Sequence, residues 1–425
     1  MKQHQSIHNT ASPIRKEIGA GVVGYLTSVY IVAVNSSILS EAGISEQNAM
    51  IATILASFVG CMLMGLWANA PMVLIPGMGV NALFAYSIVQ NGGLSYEEGL
   101  GVIAISSLLF IIVASTPLAT WLQLAIPDSL KHAITVGLGL FITLIGLEKG
   151  GLVIRGDHSL IAIGDFSSPI VMVSLLTLAI GIFLFARNVP GNFLITMLCG
   201  TILAFFFGVL EGEDPSTFSL DADWIFLPSF SAIDELTFWL SVFPLTMVLV
   251  FENIGLINGQ LHMLRQPEKF DRAFQTTSLS ALTCAFFGTS PTVSSAESAA
   301  IIASGGKTGR ASITTGILFL LTIGIIPFIT WIPSMAISPI LIIVGALMVQ
   351  SIQHISLEDM SEAIPAFLII VMIPFTYSIA DGMAFGFIAY PIVKLAIGKR
   401  NEISIPIIII ACMFLADFIL KASGH

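Results

Sequence analysis

From Glu17 to Ile419 the chain passes through one long apolar run after another, parted only by short polar breaks. A helix needs about 20 apolar residues to cross a bilayer, and lipid offers no partner to a free backbone N–H or C=O. Such runs must therefore be helices or the strands of a closed barrel. Barrel strands would alternate apolar and polar residues over about ten positions, whereas these runs are continuous. Only 10% of the 425 residues are charged, against about 25% in a soluble domain. With a mean hydropathy of +0.94, the expected class is an all-α polytopic membrane protein in the cell membrane. No short apolar core with a small-residue cleavage site precedes Lys16, so no removable signal peptide is read. Cys61, Cys199, Cys284 and Cys412 stand singly in apolar segments and read as small core residues. No metal, cofactor or nucleic-acid partner is expected, since neither paired ligands nor a basic stripe is present.

The runs predict helices near 17–39, 48–68, 96–124, 129–148, 168–186 and 191–210, and again near 237–259, 272–288, 309–331, 336–352, 361–379 and 383–397. Two further segments are interrupted. Ala70–Val89 carries Pro71, Pro76, Gly77 and Gly79 in its first ten residues, and Gly288–Ser304 carries Pro291 among small and hydroxylated residues. Proline removes a donor and glycine favours other backbone conformations, so the first part of each cannot be regular helix. The second part of each reads as a half-helix.

Counting both gives fourteen crossings, seven per half, with the third and tenth broken. An odd number per half makes the second half enter from the opposite side, which is the signature of an inverted repeat. Lysine and arginine placement agrees: thirteen fall on the side of the N-terminus and only Lys149 and Arg155 on the other, so the N-terminus is read as cytoplasmic. The loop Glu211–Glu235, with seven acidic and no basic residues, is read as external. Residues 399–425 fit either a fifteenth span or a helix along the interface, with Asp417 as the polar mark.

Two glutamates then stand out. Glu252 lies within Phe243–Gly259, and Glu297 within Ser290–Ala303. An ionisable group at bilayer depth costs about 2.5–3.5 kcal/mol by the milder insertion scales, unless it lines a polar cavity. Irregular backbone at that depth is also tolerated only around a cavity, where half-helix N-termini present free N–H groups and partial positive charge. The half-helices beginning near Gly79 and Ser295 are thus expected to face each other across a pocket. Asn81 sits on the first, Glu297 near the start of the second, and Thr289, Ser290, Thr292, Ser294 and Ser295 supply hydroxyls.

Blander roles stay open. Glu297 could be satisfied by its own helix end, and Glu252 by Asn253, Thr246 or a facing hydroxyl. Asn81 could be a cap, Asn35 belongs at a helix end or in the pocket, and Phe84 and Phe251 either pack or stack. Two neighbouring carboxylates in an apolar site resist double ionisation, so one can hold a proton and donate while the other accepts. That suits a ligand with N–H donors and carbonyl acceptors on one edge, and it suits proton coupling; sodium binding is the other use.

Four segments carry a resemblance: GMGVNALFAY (Gly77–Tyr86), FENIG (Phe251–Gly255), GTSPTVSSAESAA (Gly288–Ala300) and ASGGKTGR (Ala303–Arg310). Together with Glu17–Leu39 and Ile364–Phe387, they resemble the nucleobase–ascorbate transporter family, most closely its adenine/guanine/hypoxanthine permease branch. The resemblance implies a seven-plus-seven inverted repeat whose broken spans each hold a short strand followed by a half-helix. It implies a core domain (17–125 and 237–331) and a gate domain (127–210 and 336–398), often dimerising through the gates. It places substrate at Glu252, Glu297 and Asn81, with Ser295, Phe84 and Phe251 as further candidates. The purine branch usually has two aspartates where this chain has Leu249 and Glu252. The single glutamate is more like uracil and xanthine carriers, which often have a polar residue where Leu256 stands here.

The leading expectation is a secondary importer of a nucleobase, a purine such as guanine, hypoxanthine or adenine. It would be driven by protons through Glu252 and Glu297 and would move like an elevator. A uracil or xanthine permease is the alternative within the family. An anion carrier of sulfate or bicarbonate type shares the architecture but would want a cation in the pocket, and none is expected there. An enzyme would need a nucleophile with its base or a metal cluster, and His132, His158 and His354 lie at loop or span edges.

Overall fold

The computed structural model describes residues 13–119, 121, 126–156, 159, 161–210 and 226–422. His158 and the acidic residues from Glu211 to Asp223 lie outside the described residues. In the first half, α1 (Ile14–Ser28) and α2 (Ile31–Leu39) precede α3 (Glu46–Leu63), β1 (Leu74–Pro76) and α4 (Met78–Ala82). α4 runs on as a wider-turned helix over Leu83–Asn91. Then follow α5 (Tyr96–Ser115), α6 (Asp128–Lys149), the short strands β2 (Val153–Ile154) and β3 (Ala162–Ile163), α7 (Pro169–Ala186) and α8 (Asn192–Phe206).

The second half repeats this order: α9 (Leu236–Leu264), α10 (Phe270–Phe287), β4 (Thr292–Ser294), α11 (Ser298–Ala303), α12 (Gly309–Leu321), α13 (Ser334–Val349), α14 (Met360–Thr376) and α15 (Ile379–Ala396). Among the described residues nine helices are long and apolar enough to cross a membrane, and three shorter ones are apolar as well.

The packing repeats with the order. α1 lies on α12 as α9 lies on α5; α3 lies on α12 as α10 lies on α5. α7 packs on α8 as α14 packs on α15, and α6 on α14 as α13 on α7. The chain is thus a helical membrane bundle built on an inverted repeat. Helices α1–α5 and α9–α12 pack mainly with one another, and α6–α8 pack mainly with α13–α15.

Three details differ from the helix pattern expected from sequence. The first span is two helices rather than one, interrupted at Val29–Tyr30. Just before the break the Thr27 hydroxyl donates to the Val23 carbonyl, and Ser28 Oγ to the Gly24 carbonyl at 2.6 Å, so side chains compete for the helical ladder. The second half-helix starts at Ser298, with Glu297 at its cap position, rather than near Ser295. The β2–β3 hairpin was not foreseen. The last helix, α16 (Ile405–Ala422), packs lengthwise on α15, with Phe414 beside Phe387 and Phe418 beside Phe385.

At the breaks, each interrupted segment satisfies the other. β1 and β4 pair antiparallel, Leu74 opposite Ser294, Ile75 opposite Val293 and Pro76 opposite Thr292. All six residues are buried. The chain leading into β1 is met by hydroxyls: Met72 N–H donates to Ser312 Oγ at 2.8 Å and Val73 N–H to Ser298 Oγ at 3.0 Å. Ser312 Oγ in turn donates to the Ala70 and Met72 carbonyls. Asn69, in left-handed conformation at φ 48°, accepts the Gly309 N–H at 2.8 Å.

That last contact requires the helical turn Met64–Ala68, which continues α3, to touch the start of α12 through glycine. A Cβ on Gly309 would stand 2.0 Å from the Gly65 carbonyl oxygen. Gly309→Ala should therefore force the helices apart and cost about 1–3 kcal/mol through overpacking. The midpoint of thermal unfolding of the purified protein reads this out. Gly324→Ala, where the added methyl meets nothing within 4 Å, is the control and should leave the midpoint in place.

Candidate functional site

A cavity of about 740 Å³ lies where the two broken segments meet, which is the size range of a small-molecule site. One wall consists of the breaks themselves: Ile75–Gly79 on one side and Val293–Glu297 on the other. α9 supplies Phe251, Glu252, Ile254, Gly255 and Leu256. The opposite wall comes from the other helix group, through the start of α6 (Asp128, Lys131, His132, Thr135), the end of α13 and Phe193. The cavity therefore runs from the breaks toward the membrane face at which α6 begins.

Glu297 is held at both oxygens. Tyr30, at the interruption between α1 and α2, donates its hydroxyl to Oε1 at 2.6 Å. Ser295 Oγ donates to Oε2, and accepts the Glu297 N–H at 3.2 Å. Such bonds fix the carboxylate plane while leaving its remaining lone pairs toward the cavity. Behind it, α9 grips the broken segment. Asn253 Oδ1 accepts the Ser294 N–H at 2.8 Å, Gln260 Nε2 donates to the Ser295 carbonyl at 2.7 Å, and Gln260 Oε1 accepts from Ser294 Oγ at 2.7 Å. The side chains one and eight positions beyond Glu252 thus lock the backbone that carries Glu297.

Glu252 faces the same cavity from α9. Its Oε2 is a buried atom with no hydrogen-bond partner. A buried acceptor without a partner is costly unless a ligand or proton meets it. Glu252, Glu297, Ser295 and Phe251 are therefore brought together around one space.

Asn81 and Phe84 are placed elsewhere: both are wholly buried, and neither is among the cavity-lining residues. Asn81 Nδ2 donates to Asn35 Oδ1 at 2.9 Å, and Asn35 Nδ2 donates to Thr53 Oγ1 at 2.7 Å and Thr289 Oγ1 at 3.0 Å. Ser290 Oγ adds a further bond to Asn35 Oδ1 at 3.2 Å. Asn81 thus belongs to a polar knot that ties α2, α3 and both breaks together behind the cavity wall. Phe84 packs edge-on to Tyr96, ring centroids 5.2 Å apart.

The pocket also contains groups the sequence did not offer. Tyr30 is one; it stands 267 positions from the carboxylate it touches, and its sole sequence signal is a phenol inside the first apolar run. Lys131 is the other, and it corrects the expectation of a pocket without a cation. α6 enters the membrane beside the cavity, so its first turns line the mouth. Lys131 pairs with Asp128 at 2.7 Å and lies 5.7 Å from the centre of the Phe251 ring. Its apolar stem follows the wall while its charge stays at the opening. His132 stacks on His354 at 4.9 Å. Among the described residues no three His, Cys, Asp or Glu side chains are grouped as metal ligands.

A model of the Permease family (Xan_ur_permease) matches residues 15–385 of this chain. The nucleobase transporter PlAzg2 of Paenibacillus larvae is 47% identical over 381 residues, 88% of this chain and 76% of that protein. The guanine/hypoxanthine permease PbuO of Bacillus subtilis is 37% identical over 94% of this chain and 96% of its own length. Among solved structures, the transmembrane domain of the cyanobacterial bicarbonate transporter BicA is similar with a TM-score of 0.69 at 15% identity, covering 86% of this chain and 97% of that domain. At that identity the likeness concerns the fold alone.

The grip of α9 on the broken segment has a measurable consequence. Gln260→Leu would strand both Ser294 Oγ and the Ser295 carbonyl in a buried site, a loss of about 1–3 kcal/mol per unpaired group. A lowered thermal midpoint in the purified protein is expected, larger than that for Asn258→Leu on an intermediate-exposure face of the same helix.

Proposed function

The chain belongs to the Permease family, and from that premise we propose that it imports a nucleobase, specifically a purine, by secondary transport with protons. The observation that carries the reading is a carboxylate on a broken helix, fixed by two hydroxyls, facing a second carboxylate across a cavity open to one side. A purine presents N–H donors and carbonyl or ring-nitrogen acceptors along one edge, which complements an ionised acid beside a protonated one. Glu297 binds the N–H edge. Glu252, whose buried oxygen has no partner in the protein, takes the proton that accompanies the base. Phe251 offers a ring face at the same wall, and Ser295 orients Glu297. Asn81 acts from behind, through Asn35, by holding the two breaks in register.

Residues 17–125 and 237–331 form the core that carries the site, and 127–210 with 336–398 form the gate past which it moves, as an elevator does. The separate packing of the two helix groups supports this division, and the cavity between them is the surface along which they would slide. The sequence reading puts thirteen of the sixteen basic residues on the side of the N-terminus, and under the positive-inside rule we take that side, where α6 begins, as cytoplasmic and the cavity as inward-open. Lys131 does not turn the site into an anion site, because it pairs with Asp128 and the same cavity is lined by the carboxylates of Glu252 and Glu297.

Uptake of labelled guanine, hypoxanthine, adenine and uracil in cells lacking their own carriers tests the reading. Purine uptake that collapses with a protonophore is expected; a preference for uracil would move the chain to the other branch. Glu297→Gln should lower uptake about 10–100-fold, the value of a charged hydrogen bond. Uptake indifferent to that change would sink the site. Tyr30→Phe keeps the ring and removes one donor, so an apparent affinity loss of about tenfold is expected with near-normal expression.

A further inference from the structure

On the membrane face opposite the cavity mouth, the same two helix groups are fastened together. α6 links the two faces: it has 22 residues, about 33 Å at 1.5 Å per residue, with Asp128 at the cavity and Lys149 at the far end. Lys149 Nζ donates to Glu41 Oε1 at 2.7 Å and to the Ser37 carbonyl at 3.1 Å, both at the end of the first span. Asn91 Nδ2, closing the first broken span, donates to the Tyr377 carbonyl at 2.5 Å. The Ile379 N–H donates to Ser87 Oγ at 2.9 Å. Tyr377 holds the left-handed conformation at φ 53°, unusual for an aromatic residue, between α14 and α15. Under these bonds, Phe141 receives Tyr86 edge-on at 5.8 Å and Tyr377 at 5.4 Å.

Each polar contact joins a residue of 14–115 to one of 128–149 or 360–396, and the aromatic layer seals the space beneath. We infer that Glu41–Lys149, Asn91–Tyr377 and Ser87–Ile379 form a latch that holds the far face shut while the cavity is open on the near face, and that it opens in every transport cycle. This inference rests on the reading that the two groups move past one another. The chemistry suits a reversible catch. The Glu41 carboxylate is 45% exposed and the Lys149 side chain 12%, so the pair sits at the edge of water, where ion pairs are weak enough to break repeatedly. The two backbone-directed bonds fix register without burying charge.

The test introduces Glu41→Cys and Lys149→Cys together, in a chain whose four native cysteines are replaced by alanine, and joins them with a short reducible bifunctional thiol reagent. Linking should stop purine uptake by at least tenfold and reduction should restore it, while either single cysteine treated alike keeps its rate. A second measurement needs no linking: in Thr135→Cys protein, the cavity cysteine should react more slowly with an impermeant maleimide on inside-out vesicles once Lys149→Ala is added, because the near-open state loses population. Unchanged uptake after complete linking, or an unchanged alkylation rate with Lys149→Ala, overturns the latch. If the unmodified protein carries no base at all, the transport reading fails instead, and the alkylation rates still decide whether this contact biases the two faces.

Discussion

Everything at this site depends on two short strands pairing in the buried middle of the bundle. Backbone polar groups in the bilayer interior must find partners inside the protein. Each broken span leaves several such groups exposed, and neither could satisfy them alone. β1 and β4 solve the problem reciprocally, and hydroxyls of Ser298 and Ser312 take up the remainder. The breaks therefore stand or fall together. Because they are fixed to each other, the segment that carries Glu297 is anchored to the first break.

That reciprocity ties one side of the pocket into a single hydrogen-bonded body. α9 grips the second break through Asn253 and Gln260, and the Asn35–Asn81–Thr289 knot fastens the first break to it. The far wall, from α6 and α13, meets this body across a cavity rather than through a dense polar network. In the proposed mechanism, a face fastened in this way keeps its ligand while the separately packed wall changes position.

Much of the fold could be read from the residues. Continuous apolar runs have one solution in lipid, and Pro71, Pro76, Gly77, Gly79 and Pro291 forbid regular helix where the breaks occur. Glu252 and Glu297 were legible because a carboxylate in an apolar run has so few alternatives to a cavity. The kink at Val29–Tyr30 was not legible, since hydroxyl back-bonding from Thr27 and Ser28 leaves no compositional mark. Nor was the difference between Asn81 and Ser295. Both are small polar residues beside a break, but Asn81 sits inside its half-helix and turns to Asn35, whereas Ser295 lies in the irregular stretch before α11 and lines the cavity.

Sequence by itself determined the membrane class, the inverted order and the acidic pair, because those follow from which residues lipid will tolerate. Only the tertiary structure decided what stands around the pair. Tyr30 reaches Glu297 from the first span, and Lys131 comes to the mouth from the other helix group, through contacts between residues 267 positions apart in one case and across two packed bodies in the other. No local pattern encodes such contacts: they arise when separately stable helices settle against one another, and the side chains that meet there are chosen by packing angle rather than by spacing along the chain.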